Sequence, residues 1–215
     1  MGTGRAGEAG AGRLTGPLRN RVTPRSAIEA VAARGLFTGN RGVLHDDQRR
    51  LVCDRWRTRA WIVCTLTCKD VRRVPMTPRR WTELFFLDEA VALAAGHRPC
   101  AFCRRPAFRD YLRAWGGQQR APAVDAALHA DRVPPLRGGP RPSARLGELP
   151  VGAFVLFDSQ PLLVTAAGLR RWTHFGYEPG PLLPTDTLVE VVTPAASVAA
   201  LRGGYRPVLH SSVGE

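Results

Sequence analysis

The chain has 215 residues, 44% of them hydrophobic and 7% aromatic, and it carries a formal net charge of +13. This composition is typical of a globular protein and excludes a fully disordered one, and the length suffices for one large domain or two small ones. No apolar run approaches the roughly 18 residues that cross a bilayer, and the N-terminus lacks the apolar core of a signal peptide. We therefore expect a soluble, cytoplasmic protein with no membrane partner.

The positive charge lies in one part of the chain. Residues 1–120 hold 23 basic and 10 acidic side chains, whereas residues 121–215 hold eight of each. All five cysteines also lie in the basic part. Because a concentrated positive field attracts polyanions, the sequence predicts a nucleic-acid partner, and we expect DNA.

The first predicted elements are short. Residues 1–25 are rich in Gly, Ala and Arg without an apolar period, which predicts a disordered basic arm. A capping-box pattern followed by glycine predicts a helix over residues 26–34. Two runs of β-branched and aromatic residues, 51–56 and 60–67, predict a β-hairpin.

Two helices are predicted around the second half of the basic part. A short apolar run predicts a strand over residues 83–87, and Asp88 is a suitable N-cap for a helix over 89–95. A second helix is predicted over 106–115, with its proline in the first turn.

Four cysteines form two close pairs. The pairs are Cys64-x-x-x-Cys68 and, after 31 residues, Cys100-x-x-Cys103. Each pair can turn back on itself and present two thiolates to one tetrahedral ion, and sulfur ligands favour zinc over magnesium or calcium. Disulfides are the competing interpretation, but a cytoplasmic protein rarely keeps them. The spacing therefore predicts one Zn²⁺ on these four cysteines.

Residues 61–105 resemble the zinc-binding N-terminal domain of the Ada adaptive-response proteins. The resemblance rests on WIVCTLTC over residues 61–68 and on FLDEAVALAAGHRPCAFCRR over residues 86–105. It implies a small sheet with helices and zinc on four thiolates. It further implies an alkylation-repair activity, in which Cys64 would accept a methyl group from a DNA methylphosphotriester in a stoichiometric methyltransferase reaction. Cys68, Cys100 and Cys103 would then be supporting ligands.

The whole chain predicts an α+β fold. We expect a zinc-stabilised sheet with flanking helices over residues 26–118, a linker rich in Arg, Pro and Gly over 119–150, and a small, mostly β region over 151–215. Within that last region, residues 152–165 predict a hairpin and 187–192 predict a further strand.

Arginines flank the cysteine pairs and lie on the segment between them. Such residues can balance the thiolates or bind phosphate groups. Those predicted to contact nucleic acid are Arg72, Arg73, Arg79, Arg80, Arg98, Arg104 and Arg105.

Two other functions stay open at this point. The zinc module could be purely structural and could dock RNA or a protein partner. Alternatively, His45 and Asp46 could bind a divalent metal and activate water, as in a hydrolase or nuclease. The ligand set also has an alternative, since His45 or His97 could replace Cys68 at the zinc.

Overall fold

A computed structural model of the protein describes residues 16–67, 74–116 and 120–214. These residues form four α-helices and two six-stranded sheets, which confirms the predicted α+β class. Within the described part of the chain, no helix combines the length and apolar character that a membrane span requires.

The first sheet is built from residues that precede the second cysteine pair. Its strands are β1 (Arg19–Val22), β2 (Ile28–Ala30), β3 (Phe37–Asn40), β4 (Ile62–Thr65), β5 (Leu84–Phe86) and β6 (Arg98–Pro99). Their order across the sheet is β2-β1-β5-β3-β4-β6. In β3 and β5 buried residues alternate with half-buried ones, as expected of strands with one face on a core.

The second sheet is built from the C-terminal part of the chain. Its strands are β7 (Ser143–Arg145), β8 (Phe154–Phe157), β9 (Gln160–Thr165), β10 (Gly168–Thr173), β11 (Gly176–Pro179) and β12 (Leu188–Val191). Strands β8 to β11 form an antiparallel meander, and β12 pairs with both β8 and β7. The predicted hairpin over 152–165 and the predicted strand over 187–192 are therefore confirmed.

Four helices cover the sheets. They are α1 (Glu89–Ala94), α2 (Arg105–Trp115), α3 (Ala121–Leu136) and α4 (Ala195–Arg202), with short 3-10 turns over Leu146–Glu148 and Ser211–Gly214. All six residues of α1 are buried, so this helix lies inside the molecule. The predicted strand over 83–87 and the predicted helices over 89–95 and 106–115 agree with β5, α1 and α2.

The two sheets share one hydrophobic core. Phe86 and Val91 belong to the same buried cluster as Phe154, Leu163 and Tyr177. A second cluster joins α1, α2, α3 and α4. The expected division at a linker over 119–150 is therefore corrected, because α3 and β7 lie in that segment and α3 contributes buried leucine and valine side chains.

Two local predictions from the N-terminal part are wrong. The segment 26–34 contains β2 instead of a helix, because pairing with β1 overrides its local helix preference. The segment 51–56 is not a strand. Its amides at Val52 and Cys53 both donate to the carbonyl of Leu44, while β4 pairs with β3 and β6. The end of the predicted basic arm is also corrected, since β1 begins at Arg19, and the part of the arm over residues 1–15 lies outside the described residues.

A buried ion pair ties α1 to the start of α2. The guanidinium of Arg104 donates to both carboxylate oxygens of Glu89, at 2.7 and 2.9 Å, and Glu89 is fully buried. Glu89 also accepts bonds from the Tyr205 hydroxyl and the Val208 amide. These contacts fix the C-terminal segment against α1.

Neutralising Glu89 should destabilise the protein strongly. In the variant Glu89→Gln, Arg104 would remain buried without its counter-charge, so we expect the free energy of unfolding to fall by about 3–5 kcal/mol. Urea denaturation of the variant and the wild type measures this difference. Asp110→Asn is the matched control, because Asp110 pairs with Arg113 at an exposed site and should contribute less than about 1 kcal/mol. Equal losses in the two variants would contradict the interpretation.

The N-cap of α1 makes stability depend on pH. Burial raises the pKa of Asp88 to about 6, although its carboxylate accepts bonds from Val91, Tyr177 and His210 that favour the charged form. The folded protein therefore binds this proton more tightly than the unfolded chain does. The stabilisation from the protonated form is fully present below pH 4 and is lost as the pH rises through about 6.

The contribution of Asp88 can be isolated with a non-titrating residue. Between pH 4 and 6 this group should lower the free energy of unfolding by up to about 3 kcal/mol. In Asp88→Asn, that pH-dependent component should disappear, whatever the absolute stability of the variant. Denaturant titrations over this pH range measure both curves, and parallel curves would refute the assignment.

Candidate metal centre

Parallel pairing of β4 with β6 brings the two cysteine segments together. Ile62 and Val63 lie opposite Arg98 and Pro99 in this pairing. The amide of Cys100 then donates to the carbonyl of Val63 at 2.9 Å. Because neighbouring strands lie about 4.8 Å apart, Cys64 and Cys100, which each follow the pairing by one residue, come side by side.

A tight turn returns the chain so that Cys103 reaches the same point. Residues 101–104 form the turn, which is closed by a 3.1 Å bond from the Arg104 amide to the Cys100 carbonyl. The Phe102 amide donates to the Cys100 sulfur at 3.4 Å. Cys103 also lies two residues before α2, and the N-terminus of a helix favours a thiolate.

The three sulfurs are close enough to hold one metal ion. The Sγ atoms of Cys64, Cys100 and Cys103 all lie within 4.8 Å of one another. Thiolates at about 2.3 Å from a tetrahedral zinc ion are separated by about 3.8 Å, so the cluster fits such an ion with small side-chain adjustments. Together with Cys53, these three cysteines are free thiols. Cys68 lies outside the described residues, so its predicted part in the site stays a prediction.

The cluster concentrates negative charge on one sulfur. Hydrogen bonds from the Cys103 and Cys64 thiols lower the pKa of Cys100, and backbone amides act in the same direction. The same interactions raise the pKa of Cys64 and Cys103, because their protons are shared with Cys100. Metal binding replaces such protons, so this arrangement couples metal affinity to pH.

A buried aromatic and cationic cluster anchors β4 and β6. Trp61, which precedes β4, is fully buried, and the guanidinium groups of Arg41 and Arg132 lie 4.1 and 4.0 Å from the centre of one of its rings. The His97 ring packs 5.1 Å from the Trp61 ring and precedes β6. This cluster holds the starts of both strands and so positions the cysteines that follow them.

Neither histidine proposed as a replacement ligand lies in the three-sulfur group. His97 is fully buried and its Nε2 lies 3.3 Å from the Arg41 Nε that donates to it. Burial and then the nearby Arg41 and Arg132 hold the pKa of His97 well below its usual range. The histidine is therefore neutral and helps to anchor the strands.

His45 and Asp46 have separate partners. The His45 ring lies 2.6 Å from the Thr82 hydroxyl and 3.2 Å from the Thr77 carbonyl oxygen. Asp46 forms an exposed ion pair with Arg50 and caps the turn that contains it. Within the described residues, these two side chains belong to no cluster of three or more metal-ligating groups.

The predicted nucleic-acid arginines divide into exposed and buried ones. Arg79, Arg80 and Arg105 are exposed. Arg98 instead forms a bidentate pair with Asp125, at 2.8 Å for each bond, and is only 5% exposed. Arg104 is the buried partner of Glu89 described above. The predictions for Arg98 and Arg104 are therefore corrected, because their donors are already used inside the protein.

The remaining two predicted arginines, Arg72 and Arg73, lie outside the described residues. Sequence reasoning also overlooked exposed residues beside the site. Phe102 is 70% exposed in the turn between two sulfurs, and Arg109 and Arg113 are exposed on α2. Their four-residue spacing from Arg105 in a predicted helix was a signal that could have found them.

Comparison of the chain with models of protein families, with curated proteins and with solved structures found no match.

Metal content tests the cluster directly. Cys100→Ser should reduce bound metal from one ion per chain to near zero and lower the unfolding midpoint by roughly 10 °C, as should treatment of the wild type with a strong chelator. Elemental analysis and thermal denaturation measure the two effects. Cys53→Ser is the matched control and should retain the metal, since Cys53 is not among the clustered sulfurs. A wild type purified without metal that binds none on addition would contradict the assignment.

Proposed function

We propose that this protein is a zinc-dependent DNA-binding module in which Cys64 accepts a methyl group from a methylated DNA phosphate. The observation that carries the proposal is the convergence of three sulfurs, from segments 36 residues apart, within 4.8 Å. Cys68 is assigned as the fourth ligand on its spacing from Cys64. Everything else in the proposal depends on this centre.

The donor set favours zinc over other common ions. Four thiolates form a soft, tetrahedral site, and zinc has neither redox chemistry nor a geometric preference that would oppose this arrangement. Amide donors to Cys100 and the nearby start of α2 offset part of the negative charge of such a site. A bound zinc ion would supply the remaining positive charge and keep the other sulfurs ionised at neutral pH.

Charge supports DNA as the partner. The excess of 13 positive charges in residues 1–120 attracts a phosphate backbone and speeds its encounter with the protein. Arg105 is exposed next to the cysteine turn, and Arg79 and Arg80 are exposed on another loop. Arg98 and Arg104 are bound in buried ion pairs and do not contribute to this function, whereas Arg79, Arg80 and Arg105 can reach a phosphate group.

The resemblance to Ada proteins and partial exposure support Cys64 as the acceptor. Cys64 and Cys103 are both half-buried, whereas Cys100 is only 8% exposed. Exposure therefore disfavours Cys100, and the resemblance selects Cys64 from the other two. Bound zinc would keep the Cys64 sulfur deprotonated without a separate base. That sulfur would attack the methyl carbon and form a sulfur–carbon bond. The bond between the methyl carbon and the phosphate oxygen would break at the same time, and its electron pair would stay on the phosphate oxygen. The products are an S-methylcysteine and an ordinary phosphodiester.

Mass spectrometry of the intact protein tests this reaction. After incubation with DNA that contains a methylphosphotriester, the mass of the wild type should rise by that of one methyl group in place of a proton, once per chain. Cys64→Ser should show no gain, and Cys53→Ser should react as the wild type does. A metal-loaded wild type that binds the DNA but never gains mass would refute the acceptor assignment.

One observation favours a second function, a structural zinc module without transfer chemistry. A hydrogen bond from the Phe102 amide to the Cys100 sulfur and the buried ion pair of Arg104 and Glu89 hold the cysteine turn in place. Such support suits a site that stabilises the fold. In that case, substitution of any ligand should unfold the protein to the same degree, and no methylated sulfur should form. The mass experiment above therefore separates the two functions.

A further inference from the structure

The exposed face of α2 carries a row of arginines. This helix begins at Arg105, two residues after Cys103, and buries Phe108 and Tyr111 against the core. Its exposed arginines, Arg105, Arg109 and Arg113, recur every four residues. Residues at this spacing lie on one side of a helix, so the three guanidinium groups form a single stripe, which we call the α2 stripe.

The α2 stripe is only weakly neutralised by the protein itself. Within the described residues, neither Arg105 nor Arg109 forms an ion pair. Arg113 pairs with Asp110, but both side chains are more than half exposed, so water and salt weaken this pair. By contrast, the neighbouring Arg104 is buried and bound to Glu89. The chain therefore separates structural arginines from exposed ones within one turn of the helix.

The dimensions of the stripe suit a nucleic-acid backbone. From Arg105 to Arg113 the helix rises about 12 Å, at 1.5 Å per residue. One strand of a DNA duplex carries a phosphate every 3.4 Å or so along its axis, so this length spans three or more phosphates. Guanidinium groups bind phosphate oxygens through two parallel hydrogen bonds, which fixes their orientation.

An aromatic side chain lies at the cysteine end of the stripe. Phe102 is 70% exposed although its neighbours in sequence, Cys100 and Cys103, turn inwards to the sulfur cluster. An exposed phenylalanine ring beside a row of arginines can stack on a base, whereas the arginines hold the backbone. This combination favours nucleic acid, because every nucleotide offers both a phosphate group and a ring face for stacking.

We propose that the α2 stripe, with Phe102 at its start, is the surface that binds the DNA backbone and directs it to the cysteine cluster. This inference rests on the proposed function for the identity of the partner, but it assigns the interface to residues that the cysteine motif does not include. A backbone bound along the stripe would pass the turn that carries Cys103. The ligand is a phosphodiester polyanion, which we assign as DNA.

Fluorescence anisotropy with a labelled 20-base-pair duplex tests the interface. The metal-loaded wild type is compared with Arg105→Ala/Arg109→Ala/Arg113→Ala over a series of salt concentrations. The dissociation constant should rise roughly 10- to 100-fold in the triple variant, and the slope of log affinity against log salt should shrink by about 2–3, because three phosphate contacts are lost. Metal content and thermal denaturation show that the variant is folded.

A charge-matched variant makes the result specific. Arg55→Ala/Arg57→Ala/Arg59→Ala removes the same charge from another exposed loop and should change the dissociation constant less than about threefold. Phe102→Ala should weaken binding of a single-stranded oligonucleotide by roughly fivefold or more without changing the salt slope. Equal losses in the two triple variants, or none in the α2 variant, would overturn the interface.

The outcome separates this inference from the proposed function. If the wild type gains a methyl group from modified DNA but the α2 variant binds and reacts equally well, the interface is wrong and the function stands. If the α2 variant loses affinity but no sulfur is ever methylated, the interface stands and the transfer chemistry fails. A duplex RNA of the same sequence is the second probe, and tighter binding of RNA than of DNA would overturn the assignment of DNA as the partner.

Discussion

The pairing of two very short strands determines what this protein can do. β6 contains only two residues. Its register against β4 is fixed by hydrogen bonds from the amides of Arg98 and Cys100 to the carbonyls of Trp61 and Val63. That register places Cys64 next to Cys100, and the following turn adds Cys103. A shift by one residue would point the two cysteines to opposite faces of the sheet. The buried packing of Trp61 against His97, at the starts of β4 and β6, therefore helps to fix the geometry of the site.

Arginine serves two separate purposes on either side of this pairing. Arg98 and Arg104 flank the second cysteine pair, and each is bound by a buried carboxylate. The pair of Arg98 and Asp125 holds α3 against β6. The pair of Arg104 and Glu89 holds α1 against the start of α2. One residue later, Arg105 begins an exposed row along α2. Buried pairs of this kind are costly to break but add little net attraction for a ligand. Among the described residues, the exposed row on α2 therefore contributes positive charge near the cysteines that no buried carboxylate neutralises.

Local sequence signals predicted the elements that local interactions determine. The Asp88 cap and the glycine that follows Ala95 predicted the bounds of α1. Pro106, in the first turn of α2, predicted the start of that helix. Cysteine spacing predicted three residues that the structure brings together. Long-range pairing was not predictable in the same way. The segment 26–34 has a helical pattern but forms a strand because β1 lies beside it, and nothing local indicates that Arg98 binds Asp125, 27 residues away. Exposure of the arginines on α2 was predictable from the helix period.

Both proposals depend most directly on a zinc ion that is coordinated by the cysteine sulfurs. X-ray absorption at the zinc edge of the purified, metal-loaded protein measures this coordination without any variant. We expect four sulfur atoms at about 2.3 Å from the zinc ion, three of them from the clustered cysteines. A coordination shell dominated by nitrogen or oxygen, or one with fewer than three sulfurs, would contradict this expectation.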